Sequence, residues 1–214
     1  MSHPCPVSSF ARLFLAPACP FAKRLFRFVF RVFVFGLENI PEGACIVASN
    51  HRSHLDPPVL NSVFPEPLRF LAKEELFRVP LLGGLLPHMG ALPVRRGSGD
   101  VEVLELSMEL LHKGCKVCIF PEGTRANPGE FLKPKLGVGL LAIRSGKPVL
   151  PVYIEGTDRV LPRDAKLPKL GNPIRVYIGK PKVYTEEDNL RGYRKVAQDI
   201  MESIKELSRN AASG

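Results

Sequence analysis

Six short apolar runs, each too short to be a buried helix, recur along this chain with amphipathic or turn-forming stretches between them. They occupy residues 44–48, 68–72, 91–94, 116–120, 148–154 and 174–178. Apolar runs of this length bounded by glycine, proline and polar residues read as strands buried on both faces. Residues 57–64, 100–114 and 137–144 carry helical spacing, and Thr185 opens a terminal helix with acidic residues in its first turn, as the helix dipole prefers. In the helix that Asp100 caps, Val101, Leu104, Met108 and Leu111 share a face, and Gly114 closes it. Residues 73–86 read as broken helix or loop, and 158–173 as a polar, proline-rich excursion. Pro148 and Pro151 place the fifth run at a sheet edge or a bend. Strands alternating with helices and no internal repeat predict an α/β fold: a single domain with a largely parallel or mixed central sheet flanked by helices. At 214 residues and 45% hydrophobic content, one well-filled core suffices.

The first 35 residues differ from the rest. They hold eight of the 13 phenylalanines, five basic residues (Arg12, Lys23, Arg24, Arg27, Arg31) and no acidic one. Arg27 and Arg31 interrupt the only long apolar stretch, which excludes a spanning helix, and charges inside that stretch argue against a secretory signal. Lys23, Arg27 and Arg31 are spaced i, i+4, i+8, with Phe21, Leu25 and Phe28 off that stripe, as in a helix lying in a membrane interface. The alternation at Phe26, Phe28 and Phe30 leaves helix and strand open there, and residues 32–35 read as a strand. The chain is therefore divided into residues 1–35, an N-terminal amphipathic, membrane-contacting segment, and 36–214, the α/β domain.

A formal net charge of +9 predicts an anionic partner: nucleic acid, lipid headgroup or phosphorylated metabolite. The five cysteines make no framework. Cys115 and Cys118 have C-x-x-C spacing without a second pair to complete a zinc site, so a reducing setting and no metal are expected.

Chemistry enters at Asn50-His51-Arg52-Ser53-His54-Leu55-Asp56, which joins the first buried run to a helix beginning with Asp56-Pro57-Pro58, a capping residue followed by prolines. A carboxylate on one imidazole nitrogen fixes the tautomer and leaves the other nitrogen to take a proton. By spacing alone, His51 and Asp56 are more often a loop histidine and a helix cap than a base and its carboxylate. A serine hydrolase fits poorly, since Ser53 is too near His54 and Asp56 to aim at them and no G-x-S-x-G elbow exists. A metal site at His51, His54 and Asp56 lacks a further ligand segment. A base without a nucleophile of its own remains, and a substrate hydroxyl is the natural nucleophile.

A second cluster, Phe120-Pro121-Glu122-Gly123-Thr124-Arg125, follows a strand directly, where ligands collect in α/β sheets. Thr124 and Arg125 supply donors for a phosphate, and Glu122 can accept from hydroxyls or order the arginines. Arg95, Arg96, Lys133 and Lys135 add cations that could converge on the same anion.

Taken together, the blocks His51-x4-Asp56, Gly90-Ala91-Leu92-Pro93-Val94-Arg95-Arg96, Phe120-Pro121-Glu122-Gly123-Thr124-Arg125 and Leu150-Pro151-Val152 resemble the four ordered blocks of glycerolipid acyltransferases. The nearest subgroup is the PlsC-type 1-acyl-sn-glycerol-3-phosphate acyltransferase. The resemblance covers residues 36–154. Relatives often carry an acidic residue where Arg95 stands, so the phosphate role passes to Arg96, and the element Pro134-Lys135-Leu136-Gly137 brings in Lys135. The resemblance implies that His51, oriented by Asp56, takes the proton of the sn-2 hydroxyl of lysophosphatidic acid, which attacks the thioester of acyl-CoA or acyl carrier protein to give phosphatidic acid. Arg96, Arg125 and Lys135 would hold the phosphate, with Glu122, Gly123 and Thr124 at the acceptor pocket. No metal or prosthetic cofactor is implied, only the thioester co-substrate. The implied partners are an anionic membrane surface, the lysophospholipid and the acyl carrier, not nucleic acid. The implied location is the cytoplasmic face of a membrane, peripheral or monotopic, with a bacterial inner membrane as the expected setting. Another lyso-lipid acceptor, a thioesterase using the same base on water, and a non-catalytic binding module are the alternatives.

Overall fold

The computed structural model describes residues 19–79, 82–88, 90–94, 99–165 and 167–212. Seven strands form one sheet: β1 (Val32–Phe35), β2 (Ile46–Ser49), β3 (Arg69–Lys73), β4 (Ala91–Val94), β5 (Val117–Ile119), β6 (Val149–Glu155) and β7 (Ile174–Ile178). Their spatial order is β1-β7-β6-β2-β5-β3-β4. All neighbouring pairs are parallel except β6 with β7, so β1 and β7 run against the other five. The sheet is mixed, and all six runs read from the sequence are strands in it.

Eight helices are described: α1 (Cys19–Val29), α2 (Asp56–Val63), α3 (Glu74–Phe77), α4 (Leu82–His88), α5 (Gly99–His112), α6 (Leu136–Ser145), α7 (Thr157–Val160) and α8 (Leu190–Ala212). Alternate residues from Cys45 through β2 divide the core. Cys45 and Val47 face the cluster built with Val59, Leu60 and Phe64 of the α2 segment and with Phe26 and Phe30 from the α1 segment. Ile46 and Ala48 face the opposite cluster, with Leu110, Leu111, Leu141 and Ile200 from α5, α6 and α8. The strand is fully buried on both sides, which explains its unbroken apolar sequence.

Several details depart from expectation, each for a local reason. Residues 32–35, grouped with the N-terminal segment, are the strand they read as: edge strand β1, paired with β7 from Val32↔Ile174 to Phe35↔Tyr177. α1 ends at Val29, so Arg31 leaves the expected basic stripe; it takes a left-handed φ of 48° at the bend into β1. Lys23 turns inward instead, donating to Phe64 O at 2.8 Å. Residues 73–86, read as broken helix or loop, do agree: they hold the short helix α3 and the start of α4. β6 is interior despite Pro151. On the β7 side this residue contributes only its carbonyl, to Gly179 N–H at 2.9 Å, between the Val149–Lys182 bridge and the ladder starting at Val152. The missing proline N–H falls in that gap. The terminal helix starts at Leu190, not Thr185, because Asn189 is its cap: its Oδ1 accepts from Gly192 N–H at 2.9 Å. The acidic residues 186–188 lie before it.

α5 ends as expected. Gly114, at φ 81°, donates to Leu111 O while Cys115 N–H reaches Leu110 O, closing the helix with paired bonds. Cys115 is disulfide-bonded. Cys45 and Cys118 are free and buried. Burial pushes the Cys45 thiol up to about 12 and Cys118 well above the ordinary range, so neither acts as a thiolate. No helix among the described residues is long and apolar enough to cross a membrane.

Candidate active site

β2 and β5 are adjacent and parallel, but their onward connections diverge. From β2 the chain passes through α2 to β3, beyond β5; from β5 it passes through α6 to β6, beyond β2. Loops leaving two neighbouring strands in opposite directions open a crevice at the strands' carboxyl ends. His51 stands at the end of β2, and Glu122 at the end of β5.

The β2 loop begins with a latch. Asn50, 1% exposed, donates from Nδ2 to Ile154 O at 2.9 Å and accepts at Oδ1 from Ile154 N–H at 2.7 Å, acting as one more main-chain unit between β2 and β6. The chain then turns into the His51 loop. His51 Nδ1 lies 2.8 Å from Asp56 Oδ2. The same oxygen accepts the main-chain N–H of Arg52 at 2.7 Å and of Ser53 at 2.8 Å. A carboxylate loaded with two amide donors requires the proton on Nδ1 to complete its contact, which leaves Nε2 bare to accept a proton. The Asp56 side chain is completely buried and that of His51 is 18% exposed, so the imidazole alone of the pair reaches outward.

Asp56 is thus not the helix cap expected of it. α2 shows no side-chain cap bond, and its prolines supply the reason. Pro57 and Pro58 have no N–H to be capped, and Val59 N–H already bonds Leu55 O at 2.9 Å. The carboxylate is left free to turn back on its own loop.

His51 is held from two further sides. Its ring stacks on Phe120, with centroids 4.1 Å apart and planes 18° from parallel. Its N–H donates to Glu122 Oε1 at 3.2 Å, and its carbonyl accepts Ala126 N–H at 2.8 Å. Glu122 Oε2 accepts Leu132 N–H at 2.7 Å. Both Glu122 oxygens therefore serve main-chain amides, and the residue is only 4% exposed. Among the described residues, its hydrogen bonds are to these main-chain amides and not to an arginine. Burial raises its pKa, opposed by the Leu132 and His51 amides and by the charges of Arg52 and His51.

The other expected residues lie around this frame. Gly123 has φ 68°, and a Cβ there would sit 2.6 Å from Lys135 Cε, so the glycine both makes the turn and lets the lysine stem cross it. Lys135 N–H donates to Pro121 O at 2.8 Å, closing the loop on itself. Thr124 is exposed. Arg125 is partly buried, and its Nη1 is shielded from solvent without a hydrogen-bond partner. It stands close enough to His54 that its charge, after desolvation of that ring, lowers the His54 pKa, with His51 adding to the effect and Asp56 opposing it. His51, His54, Asp56 and Arg125 thus share one neighbourhood. Arg95 and Arg96 fall outside the described residues. Sequence reasoning passed over Arg52, which is 8% exposed, with its guanidinium 5.1 Å from the Phe131 ring and 5.8 Å from the Tyr153 ring. It donates to Glu130 O at 3.3 Å, tying the 121–135 loop to the base's own loop. The only sequence signal was its place beside His51. Among the described residues, no group of three or more His, Cys, Asp or Glu could hold a metal ion.

Residues 31–155 match the family model described as Acyltransferase. A chloroplastic 1-acyl-sn-glycerol-3-phosphate acyltransferase of Brassica napus is 35% identical over 150 residues, covering 68% of this chain and 43% of that protein. A Pseudomonas aeruginosa 1-acyl-sn-glycerol-3-phosphate acyltransferase is 33% identical over 219 residues, covering 91% of this chain and 83% of that one. The crystal structure of the 1-acyl-sn-glycerophosphate (LPA) acyltransferase PlsC from Thermotoga maritima aligns with a TM-score of 0.69 at 32% identity, over 88% of this chain and 77% of that chain. The chain spans less than half of the plant relative's length and most of the bacterial one's. With its mixed α/β sheet and the four sequence blocks in order, the chain belongs to the acyltransferase family.

Proposed function

We propose that this protein transfers a fatty acyl group from an acyl thioester, acyl-CoA or acyl carrier protein, to the sn-2 hydroxyl of lysophosphatidic acid, forming phosphatidic acid in phospholipid synthesis. The observation that carries the reading is the His51–Asp56 contact, with Asp56 Oδ2 saturated by three donors. It supports a proton on Nδ1, which would leave Nε2 as the base. The acceptor hydroxyl gives its proton to Nε2 as its oxygen bonds the thioester carbonyl carbon. The C–S bond then breaks, and the departing sulfur takes that proton to leave as a thiol. A positioned base of this kind contributes about 10²–10⁴ in rate.

Arg125, with a buried unpartnered nitrogen, would donate to the phosphate, joined by Lys135 across Gly123, by Thr124 and by Arg96. Glu122 would hold the His51 loop in register. The thioester arrives already activated, so the reaction as proposed draws on no metal or prosthetic group. The outer face of α1, where Phe21 is 72% and Phe28 81% exposed beside Arg24, would rest on an anionic membrane that holds the acceptor. The names of the relatives support the acceptor, and the family support the transfer.

The test is thiol release from acyl-CoA and acyl carrier protein, with and without lysophosphatidic acid. Release that depends on the lysophospholipid and drops at least about a hundredfold in His51→Ala is expected. Release independent of the lysophospholipid would point to hydrolysis, and normal activity in His51→Ala would overturn the assignment of the base.

A further inference from the structure

The segment between α7 and β7, residues 161–173, is not needed to fill the core beyond its first residue, yet it is placed with care. Leu161 packs against the cluster under α2, and its carbonyl accepts Ser53 Oγ–H at 2.8 Å, so the segment starts on the His51 loop itself. Lys169 N–H returns to Val160 O at 2.7 Å, and Gly171 O accepts Arg31 Nη1 at 2.8 Å. It ends at Ile174, whose N–H bonds Arg31 O at 3.1 Å. Because β6 ends at Glu155 opposite Arg175 of β7, the whole excursion stays at the sheet edge where His51 emerges. β1 runs parallel to β7, so the α1-to-β1 bend lies at the same edge.

Between those anchors the segment turns two leucines outward, Leu167 at 79% exposure and Leu170 at 60%. Single exposed leucines are ordinary on protein surfaces. In sequence they are interleaved with Arg163, Lys166 and Lys169, with Asp164 the one acidic residue of 161–173, which leaves three basic against one acidic, or +2. Arg163 and Lys169 are exposed. The Arg31–Gly171 bond joins this patch to the bend after Phe28, the most exposed phenylalanine of α1. Apolar side chains standing clear of the fold in a basic surround match a bilayer interface, where the leucines enter the acyl boundary and the cations meet lipid phosphates.

We infer that residues 167–171 form a second membrane contact, with Leu167 and Leu170 entering an anionic phospholipid surface beside α1, so that the bilayer meets the protein on both sides of the Arg31–Gly171 bond. The inference rests on the reading that α1 meets the membrane, and extends it to a segment 140 residues away in sequence. A two-point contact fixes the tilt of the domain on the membrane, which a single helix leaves free. Ser53 couples that tilt to the loop that carries His51.

The full chain has no tryptophan, so Leu167→Trp and Phe28→Trp each supply a single reporter. Emission of both is measured with vesicles of phosphatidylglycerol in phosphatidylcholine, alongside co-sedimentation. The expected result is a shift of both to shorter wavelength on vesicle addition, and quenching of both by brominated lipid. A shift in Phe28→Trp with none in Leu167→Trp overturns this inference and leaves the α1 reading standing. No co-sedimentation and no shift in either overturns both. Emission of Leu167→Trp already at short wavelength, or rising in that sense with protein concentration, before lipid is added would assign the leucines to this chain or a second copy and also overturn the inference. In the double variant Leu167→Glu/Leu170→Glu, vesicle affinity is expected to fall about tenfold or more; unchanged affinity would count against it.

Discussion

Glu122→Gln separates two roles for a residue expected, from sequence, to face the acceptor. The wild-type carboxylate gives one oxygen to His51 N–H at 3.2 Å and the other to Leu132 N–H at 2.7 Å. Glutamine has nearly the same shape but only one oxygen. That oxygen stays with the shorter Leu132 bond, and the NH2 then confronts the His51 N–H, donor against donor. A buried donor left without a partner costs about 1–3 kcal/mol, or about five- to 150-fold in an equilibrium or a rate. The cost falls on the main chain of the proposed base, so kcat should drop about ten- to a hundredfold while KM for lysophosphatidic acid changes by less than about threefold. Steady-state thiol release over a range of acceptor concentrations measures both. A raised KM at unchanged kcat would refute the reasoning and return Glu122 to the acceptor pocket. Stability supplies a second check. Burial raises the Glu122 pKa, so between the ordinary glutamate value and the folded value the native chain keeps a proton that the unfolded chain has lost. Wild-type stability must therefore fall as pH rises through that interval, and the glutamine variant lacks the slope. Denaturant titrations should find the cost of the substitution largest on the acid side and shrinking as pH rises.

Asp56→Asn should lower kcat by about 10²–10⁴ and also reduce Tm, because a neutral amide oxygen accepts the His51, Arg52 and Ser53 donors more weakly than a carboxylate oxygen; thiol release and thermal unfolding measure the two losses. Gly123→Ala places a Cβ 2.6 Å from Lys135 Cε at a φ of 68°, so about 1–2 kcal/mol of strain and a displaced lysine should raise KM for the acceptor more than they lower kcat. Gly139→Ala sets a Cβ 2.0 Å from Tyr193 O, main chain that cannot swing aside, and should cost about 1–3 kcal/mol or more in denaturant unfolding without a change in KM. Cys45, its thiol held at about 12, should resist an alkylating reagent at neutral pH until the protein is unfolded, as mass spectrometry would show.

What could be read from sequence was what is encoded locally. The strands β2, β5 and β6 are unbroken apolar runs because both faces are buried, and a run of that kind survives without knowledge of its neighbours. The His51–Asp56 pair was visible because both ends lie within one turn of chain. The Glu122 contacts were not, because its partners are main-chain amides at His51 and Leu132, and an amide leaves no trace in residue type. Arg52 was missed for a related reason: its rings come from residues 131 and 153, brought together only by the sheet order. The two proline misreadings run in opposite directions. Pro57 and Pro58 removed the donors that would have made Asp56 a cap, whereas Pro151 proved harmless in an interior strand because the β7 ladder lapses beside it.

The pairing of β1 with β7 bears on how the protein is made. Val32 meets Ile174, and among the described strands β1 has no other neighbour. During synthesis, the first strand must wait for about 140 further residues to be translated, roughly ten to thirty seconds at ordinary ribosomal speed. Through that interval the basic, phenylalanine-rich stretch ahead of it is tethered to an incomplete sheet and free to search its surroundings. On the proposed membrane contact of α1, a lipid surface can be found first and the sheet closed afterwards, so attachment of the nascent chain would precede completion of the fold, and the last of the described strands to dock would be the first of them made.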